Sequence, residues 1–591
     1  MSDYQAPLPA IRFALDAIVG SDRLATSGAF PDFDVDMRDT VLDEAAKLAA
    51  GVIAPLNRAG DTQPARLENG VVRTSPGFAE AYRAFAEGGW AGIFADQAYG
   101  GQGMPHTLSL AVEELWQAAN LAFGLCPLLT HGAIEALQAH GSDELKRIYL
   151  PKLTSGAWTG TMNLTEPAAG SDVGALKARA VKADDGSYRV TGQKIFITWG
   201  EHDCAENIVH LVLARLPDAP PGTRGISLFL VPKILVNKDG SLGARNDVIC
   251  AGVEHKLGIH ASPTCVMKYG EKGEGAIGYL VGEENRGLNV MFIMMNAARL
   301  GVGVQGVSIA ERATQHALAY ARERRQGRSA GTRGTDMAPI IEHADIRRTL
   351  MTMQALTQAA RAICLATAAA IDVANRGKTA PERATAQARA ALLTPLAKAF
   401  STDIAVEVAS MGLQVHGGMG FIEETGAAQF YRDARILPIY EGTNGIQSID
   451  LATRKLPLEG GKVMAAYIAE LEQTAAAVRA SNQPAFGRTA ERLAEANAAL
   501  KQASLWMGAA LQSDPEAALA GATPYLRLAS LAAGGAYLAR AALAAGKHGN
   551  AERAVALARF FAENLATAAP GLATTITAGA DTVIAMTAQK L

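Results

Sequence analysis

At 591 residues the chain is too long for one hydrophobic core, and length alone points to three or four domains. Apolar residues make up 49% and charged residues 19%, and the formal net charge is only −3, so a strongly basic nucleic-acid-binding groove is not expected, and material for burial is ample. Five cysteines, Cys126, Cys204, Cys250, Cys265 and Cys364, are scattered without CxxC pairs or histidines at ligand spacing, so they read as reduced thiols and no metal site is expected.

The opening residues, MSDYQAPLPAIRFALDAIVG, carry acidic groups and no positive leader before an apolar core. They do not read as a signal peptide, and a cytoplasmic protein is expected. Residues 1–33 read as an ordered N-terminal extension around a helical run from Ile11 to Ile18. From 34 to 156 the apolar spacing of three and four, in VLDEAAKLAAGVIAPL and LSLAVEELWQAANLAFGLCPLL, predicts an all-α domain. The second stretch is apolar all round, which fits a helix buried between neighbours or one lining a tunnel.

Near Ala157 short β-branched and alternating runs begin, including WTGTMNLT, YRVTGQKIFITWG, NIVHLVLARL and ISLFLVP, separated by Gly, Pro and Asp turns. Residues 157–282 therefore read as a middle β-domain with sandwich or barrel spacing. Helical periodicity returns over 283–456 and predicts a bundle of long helices. Residues 457–591 are Ala-rich and helical, with breaks at Asn482 to Pro484, Ser513 to Pro515, Thr523 to Pro524 and Gly546 to Asn550. They read as an appended helical domain without catalytic groups. No stretch of about twenty apolar residues is free of charge, since even SLAAGGAYLARAALAAG holds Arg540, so no membrane span is expected. The fold class is an α+β multidomain chain in the order helical, β, helical, helical.

One carboxylate stands out in RDARILPIYEGTNGIQ. Glu441 follows an apolar run and Tyr440 and precedes Gly442, Thr443, Asn444 and Gly445, which places it at a helix-to-loop-to-helix junction. Held among Ile439, Tyr440 and backbone glycine it is poorly solvated, which raises its proton affinity toward the range of a general base. A glutamate before Gly-Thr also reads as a loop charge or a helix-start charge.

Four further segments stand with it: YGGQGM at Tyr99 to Met104, LTEPAAGSDVGAL at Leu164 to Leu176, QKIFITWG at Gln193 to Gly200, and QVHGGMGF at Gln414 to Phe421. Together, in this order and spacing, they resemble the acyl-CoA dehydrogenase family over roughly Asp34 to Leu456. The segment after Pro457 resembles the extra C-terminal domain of the larger members, including the 3-methylmercaptopropionyl-CoA dehydrogenase type. The resemblance implies FAD lying between the β-domain and the second helical domain, an acyl-CoA substrate, Glu441 as the base that removes the α-proton, and electron-transfer flavoprotein as electron acceptor. It also implies a homodimer, because in the larger members the extra helices occupy surface that others use to tetramerise.

Residue by residue, the resemblance places Met162, Leu164 and Thr165 against the flavin ring, with Phe196 and Thr198 beside it and Ser171 nearer the CoA arm. Phe196 stands where the family usually has tryptophan and so lacks an indole N–H, and Trp199 stands where asparagine is usual. Arg324, Gln414, Gly417 and Gly418 resemble the groups that reach the flavin's diphosphate and adenylate parts across a dimer, although no aromatic residue follows Gln326. Thr443 and Gly445 complete the flavin loop, with Gly445 replacing a common glutamine. On the substrate side are Asn296, where aspartate is common, and Arg299, with Tyr440 and Gly442. Arg299 reads equally as a core-rim salt bridge. Ala298 cannot supply the base that some relatives carry on this helix. His260 and His416 read as structural or substrate-rim residues rather than metal ligands. An oxygen-using acyl-CoA oxidase and a catalytically silent helical scaffold are the competing readings.

Overall fold

The computed structural model describes residues 4–26, 28–330, 337–547, 551–587 and 589–590. Its helices include, in chain order, Leu8–Ala14 (α1), Val35–Leu48 (α2), Phe78–Glu87 (α3), His106–Ala119 (α4), Leu121–His140 (α5), Asp143–Thr154 (α6), Gly287–Glu323 (α7), Ala344–Arg376 (α8), Ala380–His416 (α9), Ala427–Ala434 (α10) and Asn444–Asp450 (α11). The last region adds Lys462–Ala480 (α12), Thr489–Ser513 (α13), Ala522–Ala544 (α14), Ala551–Asn564 (α15) and Ala569–Ala578 (α16). Two compact units result, one of Glu44–Pro105 and Leu115–Ala298, the other of Met1–Asp43, His106–Glu114 and Arg299–Leu591.

The first of these units holds the β-domain. Strands Tyr188–Thr198 (β5), Ala276–Leu280 (β12), Ile226–Pro232 (β7), Asn207–Arg215 (β6) and Arg179–Lys182 (β4) pair in sequence, and β4 pairs back onto β5, which closes a small five-stranded barrel. Ala180, Val190, Val212, Ala214, Phe229 and Val231 fill its core. Trp158–Asn163 (β3) adds to β6 in parallel, while Thr264–Tyr269 (β11) and Val248–Val253 (β10) extend the other side from β5. Barrel closure leaves few unpaired edges, and β6 and β7 read as continuous apolar runs because nearly every residue in them is buried.

The helical reading of 34–156 leaves out one feature, a hairpin of Arg66–Glu68 (β1) and Val71–Arg73 (β2). Its turn is Asn69-Gly70, both left-handed with φ of 50° and 79°, as a two-residue hairpin loop requires. Val72 is fully buried and joins the β-domain core, so this separate two-stranded piece of the helical region packs against the β-domain.

In the other unit the apolar helices pack on one another. Gly377, Lys378 and Thr379 join α8 to α9, and Thr379 and Glu382 form a capping box that starts α9. The N-terminal extension is tied on by Arg12, which bonds Asp39 at 3.1 Å and Asp43 at 2.8 Å. The appended helices share this core rather than standing apart from it. Gly534 of α14 lies so close to α8 that a Cβ there would sit 2.9 Å from the Ala359 Cβ. Arg527 bonds Glu407 at 3.0 Å, and Glu470 of α12 takes Arg389 of α9 at 2.7 Å. By length and composition α7 and α8 are apolar enough to cross a membrane, which the sequence reading passed over; 72% of the apolar window of each is buried within the protein, the pattern of a core helix.

Two glycines on α7 set the spacing that matters most for the site. A Cβ at Gly303 would lie 2.7 Å from the Ala397 carbonyl oxygen, and one at Gly306 would lie 2.4 Å from that of Ser401. The α7 and α9 backbones are therefore in direct contact, which side chains at either position would prevent. Gly306→Val should lower stability by about 1–3 kcal/mol through overpacking, read as a shift in the urea midpoint. An unchanged midpoint would mean that this contact is loose.

Candidate active site

Between α10 and α11 the chain makes a tight reversal that carries Glu441. Glu441 and Gly442 are both left-handed, with φ of 56° and 84°, an arrangement that costs little for glycine and more for glutamate. The loop is braced on both sides. Thr443 caps α11 by accepting the Ile446 N–H at 3.3 Å, and the Asn444 N–H donates back to the Pro438 carbonyl at 3.0 Å. The Tyr440 hydroxyl is committed to Gln305 Oε1 on α7. Burial of the Glu441 carboxyl pushes its pKa up to about 7, while the Lys398 and Arg299 cations pull it down. Ile439, read from the sequence as part of the apolar shield, is instead 49% exposed. Desolvation therefore comes from the helices behind the loop.

Arg299, in the first part of α7 within this unit, is buried and lies in the field of Asp450 and Glu441. It is both a buried helix anchor and a cation beside the candidate base. Lys398 was missed. It is fully buried on α9, and its Nζ donates to the Gly442 carbonyl at 2.9 Å and to Asn444 Oδ1 at 2.8 Å. Asn444 in turn donates to Asp403 Oδ1 at 2.6 Å and to Thr402 Oγ1 at 2.9 Å. The available signal was one lysine inside an apolar stretch, LLTPLAKAF, since a charge in such a run is retained only with polar partners.

In the other unit the structure brings Leu164 and Thr165 beside the end of β5 that carries Phe196 and Thr198, with Met162 of β3 two residues before Leu164. The Ile195 N–H donates to the Thr165 carbonyl at 2.9 Å, joining the TEPAAGSD loop to the end of β5. Opposite β11, residues Lys194 to Ile197 carry one extra residue, a bulge that turns Phe196 to a φ of 59° and leaves it 58% exposed. An exposed phenyl with the half-buried Thr165 and Thr198 close by suits a flat heterocycle that needs stacking and hydroxyl contacts. Trp199 faces inward instead, its indole N–H donating to the Ala122 carbonyl at 3.1 Å. Ser171 and Gly170 are exposed on the loop, and Asn296 is exposed on α7.

A second pair missed by sequence reasoning holds that loop. Lys194 is fully buried, bonds Glu166 at 2.7 Å and donates to the Leu164 carbonyl at 3.0 Å, while Glu166 also accepts the Lys177 and Ala178 N–H groups. Burial brings the Lys194 pKa down to about 8 despite Glu166. Lys194→Met, which strands the buried carboxylate, should cost about 3–5 kcal/mol and speed amide hydrogen exchange across Leu164 to Leu176. Unaltered exchange in that segment would contradict the anchoring role.

The remaining candidates lie at the far ends of α7 and α9. Arg324 is exposed there, as are Gln414, Gly417 and Gly418. Tyr320 stacks on His416 with ring centres 4.5 Å apart, which brings the two helix ends together, and His416 stacks on His316 and bonds the Gly412 carbonyl. His260 bonds Asp61 and the Lys256 carbonyl. Both histidines are thus used structurally. Gly417 takes a left-handed φ of 58°, and a Cβ on it or on Gly418 would meet nothing within 4 Å, so backbone faces open space where a ligand can approach closely. Taken each by itself, the first set, with its hydroxyls and aromatic face, suits a flavin ring, and the second, a cation with open backbone, suits a diphosphate, the two ends of FAD. Gly445 lies exposed in the first turn of α11.

Comparison with known proteins identifies the family. Residues 37–157, 161–269 and 285–456 match the N-terminal, middle and C-terminal domains of acyl-CoA dehydrogenase, and 467–587 match the acetyl-CoA dehydrogenase C-terminal-like domain. The chain is 50% identical over 527 residues to 3-methylmercaptopropionyl-CoA dehydrogenase of Ruegeria pomeroyi, covering 89% of this chain and 88% of that one. It is 36% identical over 481 residues to a broad-specificity linear acyl-CoA dehydrogenase of Mycobacterium tuberculosis, covering 80% and 78%. Among solved structures, an acyl-CoA dehydrogenase of Bacillus anthracis complexed with FAD shares the fold at a TM-score of 0.74 and 22% identity, covering 94% of this chain and 91% of that one. The chain belongs to the acyl-CoA dehydrogenase family, oxidoreductases acting on a CH–CH bond, and carries that family's additional C-terminal helical domain.

Proposed function

We propose that the protein catalyses FAD-dependent α,β-dehydrogenation of an acyl-CoA thioester to the trans-2-enoyl-CoA, with Glu441 as the base. The observation that carries this is the half-buried Glu441 carboxyl on its left-handed turn, with partial desolvation raising its pKa to about 7 against the Lys398 and Arg299 cations. A thioester carbonyl acidifies the hydrogens on its α-carbon, and a carboxylate with proton affinity near neutral accepts one of them far more readily than an ordinary surface glutamate. The left-handed turn, braced by Asn444 and Thr443, fixes the backbone from which the Glu441 side chain departs. Tyr440 and Gly442 border the substrate, and Arg299 sustains the negative charge of the resting base.

Bound FAD would supply the acceptor for the β-hydride. Thr165, Thr198 and Phe196 would hold its ring and Met162 and Leu164 its edge, while Arg324 with Gln414, Gly417 and Gly418 would reach the diphosphate and adenylate end of the flavin bound by the other subunit of the homodimer. Thr443 and Gly445 would close the loop beside it. Electron-transfer flavoprotein is the electron acceptor in this reading, and the protein works as a homodimer. The similarity to 3-methylmercaptopropionyl-CoA dehydrogenase places 3-methylmercaptopropionyl-CoA first in a substrate panel, beside straight-chain acyl-CoAs.

Glu441→Gln keeps shape and hydrogen bonding and removes the proton acceptor. FAD and acyl-CoA should still bind, while anaerobic flavin bleaching by the panel slows at least about a hundredfold. Bleaching at close to the wild-type rate would place the base elsewhere. In the wild-type enzyme the bleaching rate should rise as pH increases through about 7, because Glu441 must lose its proton before it can take one from substrate. A rate that is flat across that interval would contradict the raised proton affinity.

A further inference from the structure

The Lys398 ammonium is in an expensive position. It is fully buried, and among the described residues no carboxylate lies within ion-pair distance of it. Its donors go to a backbone carbonyl and an amide oxygen, and the acceptors are Gly442, in the loop that carries Glu441, and Asn444, the first residue of α11 after it. Neutral acceptors do not balance a buried cation. The charges that act on Lys398 are Glu441 and Asp403, which favour the cation, and Arg299, which opposes it. Those acting on Glu441 are Lys398 first and Arg299 second. A purely structural clamp for the Gly442 carbonyl needs a donor, not a charge.

We infer that Lys398 is a positioning residue for the base: it pins the turn through the Gly442 carbonyl and Asn444, and its charge holds Glu441 in the carboxylate form. The inference rests on Glu441 being the base and deepens that reading. Its two parts are separable. The hydrogen bonds stabilise the left-handed turn at Glu441 and Gly442, where backbone geometry is least favourable. The charge opposes the desolvation that would otherwise leave Glu441 protonated and idle at neutral pH. Burial lowers the Lys398 pKa to about 7, so its own charge is sensitive to the balance among Glu441, Asp403 and Arg299.

The test compares holoenzyme carrying Lys398→Met, Lys398→Gln and Lys398→Arg by stopped-flow flavin bleaching across pH. Removing a cation beside a carboxylate raises its pKa, so in Lys398→Met the midpoint of the acid limb should move up by about one pH unit or more. Lys398→Gln retains two N–H donors for the same acceptors, so it keeps the clamp while losing the charge; its midpoint should move by a similar amount, and it decides the matter alone if Lys398→Met does not fold. Lys398→Arg should return the midpoint to the wild-type position. A midpoint unmoved in folded Lys398→Gln overturns the inference, as does a midpoint displaced equally by Lys398→Arg. Glu441→Gln is run beside them: if it bleaches at the wild-type rate the base assignment has failed, whereas if it is inactive and the Lys398 midpoints are unmoved only the present inference has failed.

Discussion

A carboxylate taken out of water keeps its proton unless positive charge is set beside it, and the helical unit of this protein is arranged around that conflict. Burial alone would make Glu441 an acid, and full solvation would make it too weak a base. With Lys398 and Arg299 beside it the carboxyl settles near neutrality. Both cations sit on long buried helices, and both are brought near the loop by close contact of the α7 and α9 backbones, made possible by Gly303 and Gly306. Positioning of the base is thus a property of the helix core, not of the loop that carries it.

The β-domain solves a different problem by similar means. A small closed barrel provides a rigid frame, and a bulge in β5 interrupts the alternation of that strand to push Phe196 outward. Directly before it, Lys194 faces inward and ties the TEPAAGSD loop through Glu166 and the Leu164 carbonyl. An aromatic surface and two hydroxyls are therefore presented by backbone that cannot easily move. In each unit a buried lysine secures the loop bearing the residues assigned to chemistry. Lys194 does so with a contact ion pair, Lys398 without one.

Much of this was legible from residues alone. The order helical, β, helical, helical follows from a change of apolar period near Ala157 and its return near Gly287, and the junction that places Glu441 follows from the glycines and threonine after it. The hairpin at Asn69-Gly70 was legible too, from a turn dipeptide that the helical pattern around it obscured. What could not be read were pairings distant in sequence. Lys398 lies 43 positions before Glu441, and nothing in an apolar helix says which loop its ammonium meets. Likewise the shielding of Glu441 was assigned to its chain neighbour Ile439, which faces outward, because local sequence cannot show which helices lie behind a turn. The appended helices were placed correctly as helical, but the core they share with α8 and α9 depends on close approaches such as Gly534 to Ala359.

The central claim is that Glu441 itself titrates near neutrality, and an infrared difference titration of the substrate-free protein reads this directly. The account predicts a protonated-carboxyl C=O stretch that grows as pH falls through about 7 and is missing from Glu441→Gln. A Glu441-dependent band that appears only in the ordinary carboxylate range, at about pH 4, would contradict it.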